Sequence, residues 1–98
     1  MPRKASPDEL QEARRFGVLV KAHRQAAGLS RVALGRLCGL SENGIVSIEA
    51  GRSVPQFASA CRLLRQPLLA LTPDDLPSVH RVQLATLERL DRALQSRA

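Results

Sequence analysis

The segment between residues 29 and 55 constrains the fold most, because its residue spacing predicts two short helices joined by a tight turn. A serine can cap the start of each helix, and a glycine can adopt the left-handed backbone that ends it. These four residues are Ser30, Gly39, Ser41 and Gly51. The pattern therefore predicts one helix over Arg31–Cys38 and a second over Glu42–Ala50.

The apolar residues of this segment predict how its two helices pack. Five of them fall on faces that should meet across the turn: Leu34, Leu37, Leu40, Ile45 and Ile48. Gly35 is small enough to let the helices cross closely, so we expect them to pack at a wide angle.

Capping and proline signals predict four further helices around this pair. Ser6 and Glu9 can form a capping box at the start of a long helix, which Gly28 ends. Ser78 can cap the last helix. In chain order, the expected ranges are Pro7–Ala27, 56 to 64 or 65, Pro73–Leu76 and Val79–Gln95.

No strand pattern is visible, so the sequence predicts an all-α fold: a five-helix domain with an additional C-terminal helix. A chain of 98 residues is long enough for one domain. We expect a basic N-terminal arm over residues 1–5, the folded domain over 6–77 and the C-terminal helix within 78–98.

The charge balance favours a polyanionic partner. Fifteen Lys and Arg face nine Asp and Glu, which gives a formal net charge of +6. Most of the positive charge is arginine, whose planar fork suits phosphate oxygens and guanine edges. Ordinary solubilising charge is the alternative interpretation. The longest apolar run, Pro67–Leu71, is too short to span a bilayer, so we expect no membrane partner.

The nucleophilic and titratable side chains form no catalytic or metal-binding pattern. Cys38 and Cys61 lack partners at ligand spacing, and we expect both to be small buried thiols of a reduced, cytoplasmic protein. His23 and His80 are lone histidines that we expect at the surface or its rim. No catalytic triad, phosphate-binding glycine loop or paired catalytic carboxylates can be assembled. We therefore expect neither enzymatic activity nor a cofactor.

The last helix carries an apolar stripe that has two interpretations. The stripe consists of Leu76, Leu87, Leu90 and Leu94. It can pack back onto its own domain, or it can pair with the same helix of a second chain. In such a pair, Gln83 lies on the same face and could fix the register.

The span from Phe16 to Leu76 resembles the Cro and phage-repressor (XRE-type) helix-turn-helix family. The most specific part of the likeness is Ile45–Pro55, where Glu49, Gly51 and Pro55 match landmarks of that family. The resemblance implies a lambda-repressor-like domain whose third helix, Glu42–Ala50, lies in the major groove of DNA.

The same resemblance implies roles for individual residues. Base-edge contacts fall on Glu42, Asn43 and Ser47, of which Asn43 can pair with adenine and Glu42 can accept from cytosine. The residues expected to contact the DNA backbone are Arg31, Ser41 and Arg52. The family also commonly joins the positions of Arg24 and Glu49 by a structural ion pair.

Several residues depart from the family pattern. Arg31 stands where the family usually has glutamine, which should strengthen a phosphate or guanine contact. Glu42 favours its own helix dipole but repels phosphates, and Gly44 lowers helix stability by about 1 kcal/mol relative to alanine. Val32 and Ala33 are apolar where the family is usually polar, so a partner could cover them.

Two functional hypotheses follow. The first is a dimeric, sequence-specific regulator of transcription that binds a double-stranded DNA operator and acts by occupancy. The second is an antitoxin or adaptor that uses the same fold mainly to bind another protein, such as a toxin, with weak or secondary DNA binding. Glu42 and Val32 motivate the second hypothesis.

Overall fold

The computed structural model describes residues 5–96, and it is all-helical over that range. Five α-helices and two single turns of 3₁₀ helix make up the fold, with no strand among the described residues. The α-helices are α1 (Pro7–Ala26), α2 (Arg31–Cys38), α3 (Glu42–Ala50), α4 (Phe57–Leu64) and α5 (Ser78–Gln95). The predicted fold class is confirmed, and the part of the predicted arm formed by residues 1–4 lies outside the described residues.

The first three helices are capped as their sequence predicts. The Ser6 hydroxyl accepts from the Glu9 N–H at 3.2 Å, and the Glu9 carboxylate accepts from the Ser6 N–H in return. Ser30 and Ser41 accept from the N–H groups three residues onward at 3.0 and 2.9 Å. Gly39 and Gly51 have φ values of 70° and 62°, which is the left-handed backbone expected at these ends.

The core lies where α1, α2, α3 and α4 meet. Its largest fully buried side chains are Phe16, Val20, Leu34, Ile45, Leu63, Leu69 and Leu76. The prediction that Leu37 lies on the face where the two helices meet across the turn is wrong, because this residue is 49 % exposed. The buried face of α2 is formed by Leu34, Gly35 and Cys38, and Leu37 falls on the neighbouring face.

Two glycines allow the helices to approach at the distance that this core requires. A Cβ atom at Gly17 of α1 would overlap the backbone carbonyls of Ile48 and Glu49 at the end of α3. A Cβ atom at Gly35 of α2 would overlap the carbonyl oxygen of Leu40 in the turn. The close crossing predicted at Gly35 is therefore confirmed, and α3 is fixed against both neighbouring helices.

The predicted fifth helix is shorter than expected. Residues Pro73–Asp75 form only one 3₁₀ turn, and Leu76 has extended backbone. The carboxylate of Asp75 accepts from the Thr72 N–H at 2.7 Å, so the capping signal is used even though no α-helix follows. Pro77 disfavours helical backbone at Leu76, which stops the turn there. A second 3₁₀ turn at Pro67–Leu69, which the sequence did not predict, places Leu69 in the core.

The start of α5 is held by a residue from the other end of the sequence. Ser78 is the first residue of the helix, so the prediction that its side chain caps the helix is wrong. The Ser78 N–H and hydroxyl both donate to the carboxylate of Glu12 in α1, the hydroxyl at 3.0 Å. These two hydrogen bonds lower the pKa of Glu12, because they favour its charged form.

The prediction that both histidines lie at the surface or rim holds for His23 but not for His80. His23 is half-buried, whereas His80 on α5 is only 3 % exposed. The His80 ring lies 5.6 Å from the Phe57 ring, and its Nδ1 atom is buried without a hydrogen-bond partner among the described residues. Burial lowers the pKa of His80, because it disfavours the charged ring.

The two cysteines differ in burial. The prediction that both are buried is confirmed for Cys38 and is wrong for Cys61, which is half-buried. Desolvation raises the pKa of both thiols, which keeps them protonated and weakly nucleophilic near neutral pH.

Candidate nucleic-acid interface

One face of α3 carries polar side chains into solvent. The three side chains predicted to contact bases are all exposed: Glu42, Asn43 and Ser47. Ile45 and Ile48 are buried on the opposite side of the helix. Because Asn43 and Ser47 are four residues apart, they are neighbours on the exposed face. The structure therefore brings the three predicted base-contact residues together along one accessible edge.

The starts of α2 and α3 offer backbone N–H groups to the solvent. The first turn of each helix has N–H groups without intrahelical partners, and the serine caps satisfy only one in each helix. The positive end of the helix dipole lies at the same place, which favours an anion such as phosphate. Ser41, predicted to contact the DNA backbone, is exposed at the start of α3.

The end of α3 is joined to α1 by a buried ion pair. Nε of Arg24 donates to Oε2 of Glu49 at 2.6 Å, and Nη2 of Arg24 donates to Oε1 at 3.3 Å. The Arg24 side chain is 9 % exposed and that of Glu49 is 3 % exposed. Nη1 of Arg24 also donates to the Leu29 carbonyl at 2.9 Å. This contact fixes the orientation of α3 relative to α1.

Arg31 contacts the same carboxylate, a connection that the sequence did not predict. Nε of Arg31 lies 3.1 Å from Oε1 of Glu49, and the Arg31 side chain is 40 % exposed. The family resemblance implies a DNA-backbone contact for Arg31 and, separately, an ion pair between Arg24 and Glu49. The arginine at the start of α2 was the available signal for a second basic partner of Glu49.

Arg52 lies apart from this cluster. It is exposed in the bend that follows Gly51, at the opposite end of α3 from Ser41. A nine-residue helix is about 14 Å long, so Ser41 and Arg52 mark the two ends of the exposed face rather than one site.

The other predicted surface feature, the apolar pair on α2, is only partly exposed. Val32 is exposed and Ala33 is half-buried. Together with the exposed Leu37, Val32 gives α2 two apolar side chains in contact with solvent.

The described residues offer no group of three or more His, Cys, Asp or Glu side chains that could hold a metal ion. Within the same range, no helix is both long and apolar enough to cross a bilayer.

Comparison with known protein families places these elements in a defined class. Residues 15–78, more than half of the chain, match the family described as helix-turn-helix domain. The match begins in α1 and ends at the first residue of α5, so it covers α2, α3 and the turn between them. This protein belongs to the helix-turn-helix domain family. Comparisons with curated proteins and with solved structures gave no match.

Proposed function

We propose that this protein is a sequence-specific, double-stranded DNA-binding regulator of transcription of the Cro and phage-repressor (XRE) type. The observation that carries the proposal is the exposed polar face of α3, whose opposite side is buried in the core. A helix held in this way can enter the major groove without moving relative to its own domain. The protein would act by occupying an operator, without chemistry, on DNA in the cytoplasm.

In this proposal, the side chains of α3 read the base sequence. Asn43 pairs with N6 and N7 of adenine, and Glu42 accepts a hydrogen bond from N4 of cytosine. Ser47 lies beside Asn43 on the same face. It can contact more than one kind of base, because its hydroxyl can both donate and accept a hydrogen bond. The Glu42 carboxylate repels phosphates, and the hydrogen bond from cytosine compensates for this repulsion.

The DNA backbone is contacted at both ends of the exposed face. Ser41 and the N–H groups at the start of α3 meet a phosphate at one end, and Arg52 meets another beyond Gly51. Arg31 adds a contact from the start of α2. The formal net charge of +6 supports this arrangement through attraction that does not depend on sequence.

We further propose that the protein is a dimer joined through α5. The first turns of α5 pack on the domain through the buried His80 and the half-buried Leu84. Beyond Leu84, every described residue of the helix is exposed, including three leucines on one stripe: Leu87, Leu90 and Leu94. A second copy would cover this stripe and would place two α3 helices in successive major grooves, about 34 Å apart.

Selection of duplexes from a random-sequence pool tests this function. We expect enrichment of an inverted repeat whose half-sites are separated by about one helical turn. The selected duplex should bind about a thousandfold more tightly than scrambled DNA at physiological salt. Equal affinity for the selected and scrambled duplexes would contradict sequence-specific binding.

Exposed apolar residues support a second candidate function, that of an antitoxin or adaptor whose main partner is a protein. Val32 and Leu37 on α2 and the leucines of α5 could bind a partner such as a toxin. Recovery of a stoichiometric protein with the chain from its native host would favour this function. A homodimer that binds a specific duplex without such a partner would exclude it as the main role.

A further inference from the structure

The carboxylate of Glu49 is shared by two arginines from two different helices. Its Oε2 atom accepts from Nε of Arg24 at 2.6 Å. Its Oε1 atom accepts from Nη2 of Arg24 at 3.3 Å and from Nε of Arg31 at 3.1 Å. Glu49 is the next-to-last residue of α3, so this cluster joins the end of the base-reading helix to the start of α2.

The two arginines differ in how many of their nitrogen atoms form hydrogen bonds within the protein. Arg24 is buried, and its three nitrogen atoms all donate within the protein, two of them to Glu49 and one to the Leu29 carbonyl. Arg31 donates to Glu49 through Nε alone, and its side chain is 40 % exposed. No described residue accepts from Nη1 or Nη2 of Arg31. The two terminal nitrogens of Arg31 are therefore available to an external acceptor.

The charge of the cluster suits an anionic acceptor. Two guanidinium groups and one carboxylate give a formal charge of +1 on the cluster. Arg24 neutralises Glu49 inside the protein, and the carboxylate is only 3 % exposed, so the charge that reaches solvent is that of Arg31. Arg31 also stands at the first position of α2, where free N–H groups and the helix dipole add to the attraction for an anion.

We infer that Glu49 is a positioning residue for DNA binding: it holds Nε of Arg31 so that Nη1 and Nη2 face a DNA phosphate. Two parallel N–H groups on a rigid plane match the oxygen atoms of a phosphate, and prior fixation of the plane reduces the entropy lost on binding. The phosphate contact and the base-reading face of α3 are thereby fixed relative to one another. This inference rests on the proposed DNA-binding function.

Removal of the Glu49 charge separates positioning from simple attraction. If Glu49 acted on DNA only through its negative charge, Glu49→Gln would make the protein more positive and would tighten binding. If Glu49 positions Arg31, the same change weakens binding in spite of the added positive charge. The two explanations therefore predict changes of opposite sign.

The test is a double-mutant cycle on the selected duplex, with affinity measured by fluorescence anisotropy over a range of salt concentrations. We expect Arg31→Gln to lower affinity about tenfold on specific and random duplexes alike, and to reduce the slope of log K against log salt by about 1. We expect Glu49→Gln to lower affinity as well, and Arg31→Gln to have little further effect in the Glu49→Gln protein. The control is Arg92→Gln, which removes one positive charge as Arg31→Gln does, but from an exposed residue of α5.

Two outcomes would overturn the inference. One is a Glu49→Gln protein that binds DNA as tightly as the original or more tightly. The other is an Arg31→Gln change that lowers affinity equally with and without Glu49, because independent residues show no coupling.

A second variant keeps the test decisive if Glu49→Gln fails to fold because it leaves Arg24 buried without its carboxylate. Arg31→Lys leaves the Arg24 contact intact and keeps the charge, but one ammonium group cannot hold Glu49 and also donate a parallel pair to phosphate. We expect weaker binding with an unchanged salt slope, and unchanged affinity would overturn the inference.

If the original protein binds no duplex, the proposed function fails and this inference fails with it. If it binds specifically and Arg31 variants match it, the DNA-binding function stands, whereas this inference and the proposed backbone contact of Arg31 fail.

Discussion

Helix α3 and the outer part of α5 expose opposite kinds of surface. On α3 the exposed face carries the polar side chains of Glu42, Asn43 and Ser47, and Ile45 and Ile48 are buried in the core on the opposite side. On α5 beyond Leu84, three leucines, Leu87, Leu90 and Leu94, are each more than half exposed. A surface of the first kind suits the polar base edges and phosphates of DNA, whereas a surface of the second kind suits another protein. The comparison shows that one small chain carries two exposed surfaces with different chemistry.

The largest expected effect is on the buried contact that orients α3. Arg24→Ala leaves the Glu49 carboxylate buried with only the half-exposed Arg31 as partner, so we expect a loss of about 3 to 5 kcal/mol in the free energy of unfolding. Urea denaturation followed by circular dichroism measures this loss. Arg52→Ala, an exposed arginine beyond the same helix, should change stability by less than about 0.5 kcal/mol. Similar effects of the two changes would contradict a structural role for Arg24.

The next effect concerns the surface of α5. Leu90→Glu places a charge in the proposed dimer contact, and we expect a loss of about 2 to 3 kcal/mol in the free energy of dimerisation with little change in circular dichroism. Analytical ultracentrifugation over a concentration range measures the change. Arg92→Ala lies two residues away, on the other side of the helix, and should leave the dimer intact. A protein that is monomeric at all concentrations before any change would refute the proposed dimer.

A comparable or smaller effect is expected on the polar surface of α3. Asn43→Ala should weaken binding by about 1 to 3 kcal/mol at one base pair of the selected duplex, because it removes a bidentate contact with adenine. Affinity for random DNA should change little, and duplexes substituted at that base pair should no longer be discriminated. Equal losses on specific and random duplexes would refute the base-reading role of Asn43.

The smallest effect is a dependence of stability on pH that originates at the base of α5. The pKa of His80 is lowered from its ordinary 6.5 in the folded protein, so the unfolded chain binds a proton first as pH falls below about 6.5. Stability should therefore decrease from pH 7 toward pH 5, and His80→Leu should remove that decrease. An unchanged pH profile in the His80→Leu protein would contradict this origin.

Glu12 acts in a separate, lower range of pH. Its pKa is lowered from 4.5 by the hydrogen bonds from Ser78, so it contributes stability that is present above about pH 4.5 and is lost as pH falls through the folded pKa. Glu12→Gln should remove this loss without altering the range between pH 5 and pH 7. Urea midpoints measured across both ranges separate the two groups.

The parts of the fold that the sequence predicted are those that short-range interactions determine. The bounds of α2 and α3 follow from Ser30, Gly39, Ser41 and Gly51, and each cap bonds a residue only three positions away. The same holds for Ser6 and Glu9 at the start of α1. These signals are local, so they could be identified without knowledge of the packing.

The parts that the sequence did not predict depend on contacts between distant residues. Ser78 bonds Glu12, which is 66 residues away, and His80 is buried because the start of α5 packs beside Phe57. Leu37 is exposed because the face of α2 that packs against the domain is formed by Leu34, Gly35 and Cys38, and Leu37 lies beside that face. At the candidate site, the exposed edge of α3 follows from helical periodicity, whereas the contact between Arg31 and Glu49 spans 18 residues and required the packed helices.

The contact between Glu12 and Ser78 fixes the first turn of the long helix α5. The eighteen residues of α5 extend about 27 Å from that contact. A tilt of roughly 10° at Ser78 would therefore displace the far end of the helix by about 5 Å, which exceeds the rise of three residues. In a dimer joined near that far end, the distance between the two DNA-reading helices would depend on one carboxylate of α1. Changes at Glu12, far from any base, would then alter which spacing of half-sites the protein accepts.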